Sequence, residues 1–154
     1  MTTFSGKASV VQKLKRVENL LARAGAVSNI EVQADLARLG CVQLSGFLEH
    51  VLYDLILAWA SRRVEPRVQQ YLERQLERFQ NPKSEKIAQL LGQFDEQWKR
   101  EYEELENRDA IDSVVSLRNS IAHGENTGVG LVAMKDYIAR IRPIVDWLIT
   151  KFDA

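Results

Sequence analysis

Three polar side chains able to take part in catalysis lie close together in the stretch RNSIAHG at positions 118–124. They are Arg118, Asn119 and His123. A guanidinium group is permanently charged, and its planar fork matches the oxygens of a phosphate. An imidazole gains and loses a proton near neutral pH, so it can serve as a general acid or base. Asn119 can orient a substrate or the imidazole without titrating itself. This combination could act on a phosphate group.

The stretch is predicted to form the last turns of a helix. The inward edge of that helix is apolar and consists of Val114, Leu117 and Ile121. Gly124 is typical of a residue that ends a helix in the left-handed conformation. Because successive residues rotate by about 100°, Asn119 and His123 share a face, whereas Arg118 points away from His123. One copy does not easily aim both at one phosphate, but a second copy across a two-fold axis could bring both pairs together.

A structural role is the alternative for both charged residues. Arg118 could form a surface ion pair, and His123 could complement the negative end of the helix dipole as a cap. The pattern of an arginine, four intervening residues and a histidine also arises by chance in a chain of this length. The spacing alone therefore identifies no site.

The rest of the chain is also predicted to be helical, because apolar residues recur every three or four positions and no segment alternates like a strand. The predicted segments are Lys7 to Gly25, Asn29 to about Arg62, Pro66 to about Gln80, a short helix from Ser84, a helical stripe within 95–109, the Arg118 helix, and Leu131 to about Phe152. We therefore predict an all-α antiparallel bundle of six or seven helices without a sheet. It should form one domain over residues 1–154, with residues 1–6 frayed.

The second helix is predicted to be central. Ser28 is its expected N-cap, with Glu31 three residues later completing a capping box. Its apolar residues follow alternating steps of three and four, which is the pattern of a helix packed nearly antiparallel in a bundle. Gly40 and Gly46 lower helix stability, so they are expected where another helix backbone comes close.

Glu49 and His50 are the polar residues of this helix that could carry function. Glu49 lies on a flank that is otherwise small or apolar, where a carboxylate is costly unless paired. It could orient Arg118 or His123, or it could form a structural ion pair with any basic residue. His50 falls on the polar side, where it is expected to be an exposed partner of Asp54 rather than a ligand.

Charge is balanced over the whole chain, with 21 basic and 21 acidic residues. Any nucleic-acid affinity must therefore come from a local patch. The most positive segment runs from Lys7 to Arg23, and it is either a solvated helix face or a rim that steers phosphate. Residues 95–109 carry seven acids and three bases, and they should repel phosphate.

Cysteine content and hydropathy predict the cellular setting. The single Cys41 excludes an internal disulfide and a cysteine-based zinc site. The N-terminal residues contain no apolar signal region, and no uncharged apolar run reaches the length of a membrane span. We expect a cytoplasmic protein without a membrane partner, cofactor or metal.

The segment RNSIAHGEN resembles the signature of the HEPN superfamily, which consists of small all-α domains. Three further segments, LGCVQLSGFLEH at 39–50, RFQNPKSEKIAQLLGQF at 78–94 and LVAMKDYI at 131–138, are similar to its RiboL-PSP-type branch. The resemblance implies a HEPN-like bundle and a metal-independent endoribonuclease that cleaves RNA by 2'-hydroxyl attack to leave a 2',3'-cyclic phosphate. It implies that Arg118, Asn119 and His123 are catalytic. Glu49, from its place on the second helix, and Ser120 are expected to support them.

The resemblance also implies partners. RNA is the expected substrate, and a homodimer with a composite site is expected, with an antitoxin or other protein partner in a defence, toxin or RNA-processing setting. In some HEPN toxins a tyrosine two residues after the histidine is modified by the antitoxin, but Glu125 stands there in this chain. The alternative is a non-catalytic HEPN module for RNA binding, protein interaction or dimerisation.

Overall fold

The computed structural model describes residues 6–125 and 128–152, and 82% of these residues are helical. The seven helices are α1 Gly6–Gly25, α2 Ile30–Ser61, α3 Pro66–Leu76, α4 Ser84–Phe94, α5 Glu96–Glu103, α6 Arg108–Ala122 and α7 Leu131–Phe152. No strand occurs within these ranges. The predicted all-α fold is therefore confirmed. Residues 1–5 of the predicted frayed segment fall outside the described residues.

α1 and α2 form an antiparallel hairpin. Near its open end, Asp54 of α2 accepts hydrogen bonds from Lys13 Nζ at 2.6 Å and from Ser9 Oγ at 3.2 Å. Near the connecting turn, Gln33 Nε2 donates to the carbonyl oxygen of Ala24 at 3.2 Å. The Asp54 carboxylate is thus bound by α1, and the expected pairing of His50 with Asp54 does not form. His50 instead lies edge-on to Tyr53, with ring centroids 6.0 Å apart.

α7 packs antiparallel to α1, and α6 packs antiparallel to α7. Glu18 of α1 pairs with Arg142, while Gly25 at the end of α1 lies beside Leu131 and Lys135 at the start of α7. Arg140 of α7 in turn donates to Asn107 Oδ1 at 3.0 Å, just before α6 begins. Consequently α2 and α6 run in opposite directions. Four helix termini meet at one end of the bundle, which we call the site end: Gly25, Ile30, Ala122 and Leu131.

Helix α2 contributes more buried residues than any other described helix. Fourteen of its residues are buried, including Ala37, Cys41, Leu44 and Leu48 of the predicted apolar stripe. By length and mean hydropathy this helix alone among the described ones could cross a membrane, and 61% of its most apolar window is buried inside the bundle. Burial against α1, α6 and α7 is the arrangement of a central core helix.

Three local predictions need correction. The N-cap of α2 is Asn29, whose Oδ1 accepts from the Val32 N–H at 3.1 Å, and not Ser28. Asn29 is as good a capping residue as serine, so local sequence does not choose between two adjacent candidates. Helix α3 ends at Leu76, before the predicted Gln80. Gly6 is buried within α1 rather than frayed.

The two glycines inside α2 differ from each other. A Cβ atom on Gly40 would come within 2.7 Å of Leu21 Cδ2, so α1 does come close there, through a side chain. A Cβ atom on Gly46 would meet nothing within 4 Å. The prediction that another helix lies close to Gly46 was therefore wrong within one chain.

Candidate active site

The C-terminal end of α6 is held by a Schellman motif. Gly124 adopts the left-handed conformation with φ of 72°, as the sequence predicted. The Glu125 N–H donates to the Ser120 carbonyl at 3.0 Å, and the Gly124 N–H donates to the Ile121 carbonyl at 3.1 Å. His123 occupies the C-cap position, and its side chain is exposed. The backbone therefore fixes the position of an imidazole that solvent can reach.

Arg118 is half-buried one turn before the helix end. Within the described residues its guanidinium makes no hydrogen bond or ion pair, although acidic residues elsewhere in the chain engage other cations. Its nitrogens are not among the buried polar atoms that lack a partner, so they remain in contact with solvent. Arg118 is thus a fixed positive charge whose donors are available to an anion.

Asn119 and Ser120 complete the site residues on α6, and both are half-buried. Their carbonyl groups accept from the N–H groups of His123 and Glu125, each at 3.0 Å. Neither side chain has a hydrogen-bond partner in the described part of the chain. Asn119 lies four residues before His123, so the amide and the imidazole share a face of the helix.

Arg118 and His123 lie on different faces of α6. His123 is five positions after Arg118, which corresponds to a rotation of about 140° and a rise of about 7.5 Å on an α-helix. The helix with its side chains is about 10–12 Å wide. By this geometry one chain leaves the two groups on different sides of α6.

Glu49 is not brought to either residue within one chain. The thiol of Cys41 in α2 contacts the Val114 carbonyl in α6 at 3.6 Å, which fixes the register of these antiparallel helices. Glu49 lies eight residues beyond Cys41 and Arg118 four residues beyond Val114, in opposite directions, so their levels differ by roughly 18 Å along the axis. In the described residues Glu49 forms no ion pair or hydrogen bond. Glu49 itself is only half-buried, so solvent replaces the ionic partner expected from its position.

Two sets of exposed apolar residues surround the site end. Ile30 and Val132, at the first turns of α2 and α7, are 81% and 83% exposed. Val32, Leu39 and Val42 form a further set on the outer face of α2, which we call the apolar strip, and they are 44%, 45% and 39% exposed. The strip was not identified from the sequence. Its spacing of seven and three residues, which places apolar side chains on one helix face, is the signal that could have identified it.

No group of three or more His, Cys, Asp or Glu side chains comes together at a spacing suited to a metal ion in residues 6–125 and 128–152. The functional groups gathered at the end of α6 are an imidazole, a guanidinium, an amide and a hydroxyl. Such a set can move protons and stabilise negative charge.

A model of the RiboL-PSP-HEPN family matches residues 9–153. The chain belongs to the RiboL-PSP-HEPN family. Neither the curated proteins nor the solved structures gave a match. The family match spans nearly the whole described bundle, including the ends of α6 and α7, and it confirms the resemblance inferred from the sequence. A HEPN domain is compatible with a nuclease or with an RNA-binding module.

Proposed function

We propose that this HEPN protein is a metal-independent endoribonuclease that works as a homodimer. The observation that carries the proposal is the solvent-reachable Arg118, which has no ion pair in the described residues and lies one turn before an exposed His123 at a rigid helix end. Other arginines, among them Arg16 and Arg23, also lack an ion pair in the described residues, so the distinguishing feature of Arg118 is its position beside His123 at this helix end. Its charge is available for a phosphate.

The proposed reaction uses the ribose 2'-hydroxyl as nucleophile. One imidazole removes the hydroxyl proton while the 2'-oxygen forms a bond to phosphorus. Arg118 stabilises the negative charge that accumulates on the phosphorane oxygens. The bond from phosphorus to the 5'-oxygen then breaks, and a protonated imidazole gives that oxygen its proton. The products are a 2',3'-cyclic phosphate and a 5'-hydroxyl, and Asn119 keeps the imidazole or the substrate in position.

Two copies are needed because one chain separates the two groups. In a symmetric dimer with the α6 ends facing each other, one His123 acts as base and its copy as acid at a shared site. The exposed Ile30 and Val132 at the site end and the apolar strip support this arrangement, because apolar surface of this kind is typical of interaction sites. The RNA would then be cleaved between the protomers.

The test compares purified wild-type protein with His123→Ala and Arg118→Ala on single-stranded RNA. Loss of a general acid or base costs about 100-fold to 10,000-fold in rate, and loss of a charge-stabilising group has a similar cost. Both variants should therefore lose detectable cleavage while circular dichroism and sedimentation stay unchanged. The matched control is Arg74→Ala, which removes an exposed arginine of α3 and should cleave like wild type. Excess EDTA should leave the wild-type rate unchanged.

Two results would overturn the proposal. The first is cleavage that survives His123→Ala or stops on chelation, since either result requires another catalytic group. The second is RNA binding without cleavage by wild type and both variants, which identifies a non-catalytic HEPN module. The biological setting in defence, toxin action or RNA processing belongs to the same proposal. Mass spectrometry of the 3' ends checks the chemistry directly, because only 2'-hydroxyl attack leaves a cyclic phosphate.

A further inference from the structure

A groove of about 550 Å³ runs between α1 and α2 on the outer side of their hairpin. Its rim consists of basic and amide side chains together with one imidazole: Lys13, Arg16, Asn19, Arg23, Gln43 and His50. Among residues 6–125 and 128–152, no acidic side chain lines the groove. In a chain with 21 basic and 21 acidic residues, this is a local concentration of positive charge.

Two of its cations are available to a ligand. Arg16 and Arg23 are exposed, and neither side chain has an ion pair within the described residues. Lys13 differs, because Asp54 accepts its hydrogen bond at 2.6 Å and both holds and partly neutralises it. From Lys13 to Arg23 the groove follows ten residues of α1, or roughly 15 Å. The positive charge is therefore extended along a line, as a polyanion requires.

The floor of the groove is apolar. It is formed by the buried Val17 and Phe47, and Gly46 leaves it open because a Cβ atom there would meet nothing within 4 Å. Single-stranded nucleic acids are bound by basic grooves that follow the backbone beside surfaces that accept base or sugar faces. The amides of Asn19 and Gln43 supply neutral donors and acceptors between the cations.

The groove leads to the site end. Arg23 lies two residues before Gly25, where α1 ends, and Gln33 near the start of α2 bonds to Ala24. The end of α6 with His123 lies at the same end of the bundle. Gln43 of the groove also follows Val42 of the apolar strip directly in the sequence, so the two surfaces adjoin on α2. A single-stranded nucleic acid bound in the groove would therefore extend toward the proposed dimer site.

We propose that this α1–α2 groove binds the phosphodiester backbone of a single-stranded RNA whose cleaved bond lies at the end of α6. The proposal rests on the proposed function, because it assigns to the same enzyme a substrate-binding surface separate from the catalytic groups. Arg16 and Arg23 contact phosphates, and the open floor at Gly46 accepts a sugar or base. The groove determines affinity for long substrates, while Arg118 and His123 carry out the cleavage.

Binding is measured by fluorescence anisotropy with a labelled single-stranded oligoribonucleotide carrying 2'-O-methyl groups, which removes the nucleophile. The test variant is Arg16→Glu/Arg23→Glu. The matched control is Arg67→Glu/Arg74→Glu, which reverses two exposed arginines of α3 that are also seven residues apart. The groove variant should bind at least about tenfold more weakly, with a salt-dependence slope lower by about 1.4, since each phosphate contact to a single strand contributes about 0.7. The control variant should bind like wild type.

Equal affinity of the groove variant and wild type, or equal losses in both variants, would overturn the groove assignment. Wild-type binding to polyglutamate but not to RNA would do the same, because it would identify an acidic protein partner. Cleavage of a dinucleoside monophosphate, too short to occupy both surfaces, separates the two proposals. The groove variant should lose more activity on long RNA than on this dinucleotide, and equal losses on the two substrates would count against the groove. If wild type cleaves neither the dinucleotide nor longer RNA, the nuclease proposal fails. The binding experiment then still shows whether the groove binds RNA.

Discussion

A catalytic site shared by two chains makes His123→Ala a dominant-negative variant. On α6, Arg118 and His123 are separated by about 140° and 7.5 Å, so a single chain does not place both within hydrogen-bond distance of one phosphate. If the two imidazoles of a dimer divide the proton transfers, every dimer containing one variant chain lacks either the acid or the base. Each such loss costs at least about 100-fold.

The magnitude follows from random assortment of chains. With a wild-type fraction f, only the fraction f² of dimers keeps both imidazoles, whereas independent sites would leave activity proportional to f. At a wild-type fraction of about one tenth, the shared site predicts about one hundredth of full activity, and independent sites predict about one tenth. The two models therefore differ by about tenfold.

The assay co-refolds wild type with His123→Ala at fixed total concentration and follows cleavage of a fluorogenic RNA. Co-refolding with Arg74→Ala is the control, and activity should then be independent of the mixing ratio. A linear decline with His123→Ala, or full activity in a species that sediments as a monomer, would refute the shared site.

Three further outcomes test other parts of the structure. Leu39→Glu should weaken dimerisation at least about 100-fold by placing an unpaired charge in the interface, whereas Val68→Glu, equally exposed at 45% but on α3, should not; sedimentation distinguishes them. Gly46→Ala should raise the free energy of unfolding by about 0.5–1 kcal/mol in urea titrations, and Gly40→Ala should give no such gain because its Cβ meets the core. Burial raises the pKa of Cys41 to about 11, so Ellman's reagent should react only after unfolding. Above about pH 9 stability should fall, since the unfolded chain loses that thiol proton first.

The sequence by itself determined the helices and the faces of each helix. The end of α1 at Gly25, the left-handed Gly124 and the span Leu131–Phe152 were predicted correctly, because glycine chemistry and apolar periodicity act within a few residues. The expected angular separation of Arg118 from His123 likewise depends only on counting residues along one helix.

Tertiary structure decided which helices lie side by side and at what level. Glu49 lies on a face of α2 from which it could meet an inward-pointing group. The antiparallel register of α2 and α6 nevertheless places it roughly 18 Å along the axis from the level of Arg118. Asp54 meets Lys13 of α1 rather than His50 four residues earlier, because packing of the hairpin supplies a permanent cation. The groove beside Gly46 and the apolar strip also arise from what the neighbouring helices leave uncovered. The direction in which a side chain points from its helix depends on the local sequence. The level at which it meets a neighbouring helix is set by the long-range packing of side chains between helices.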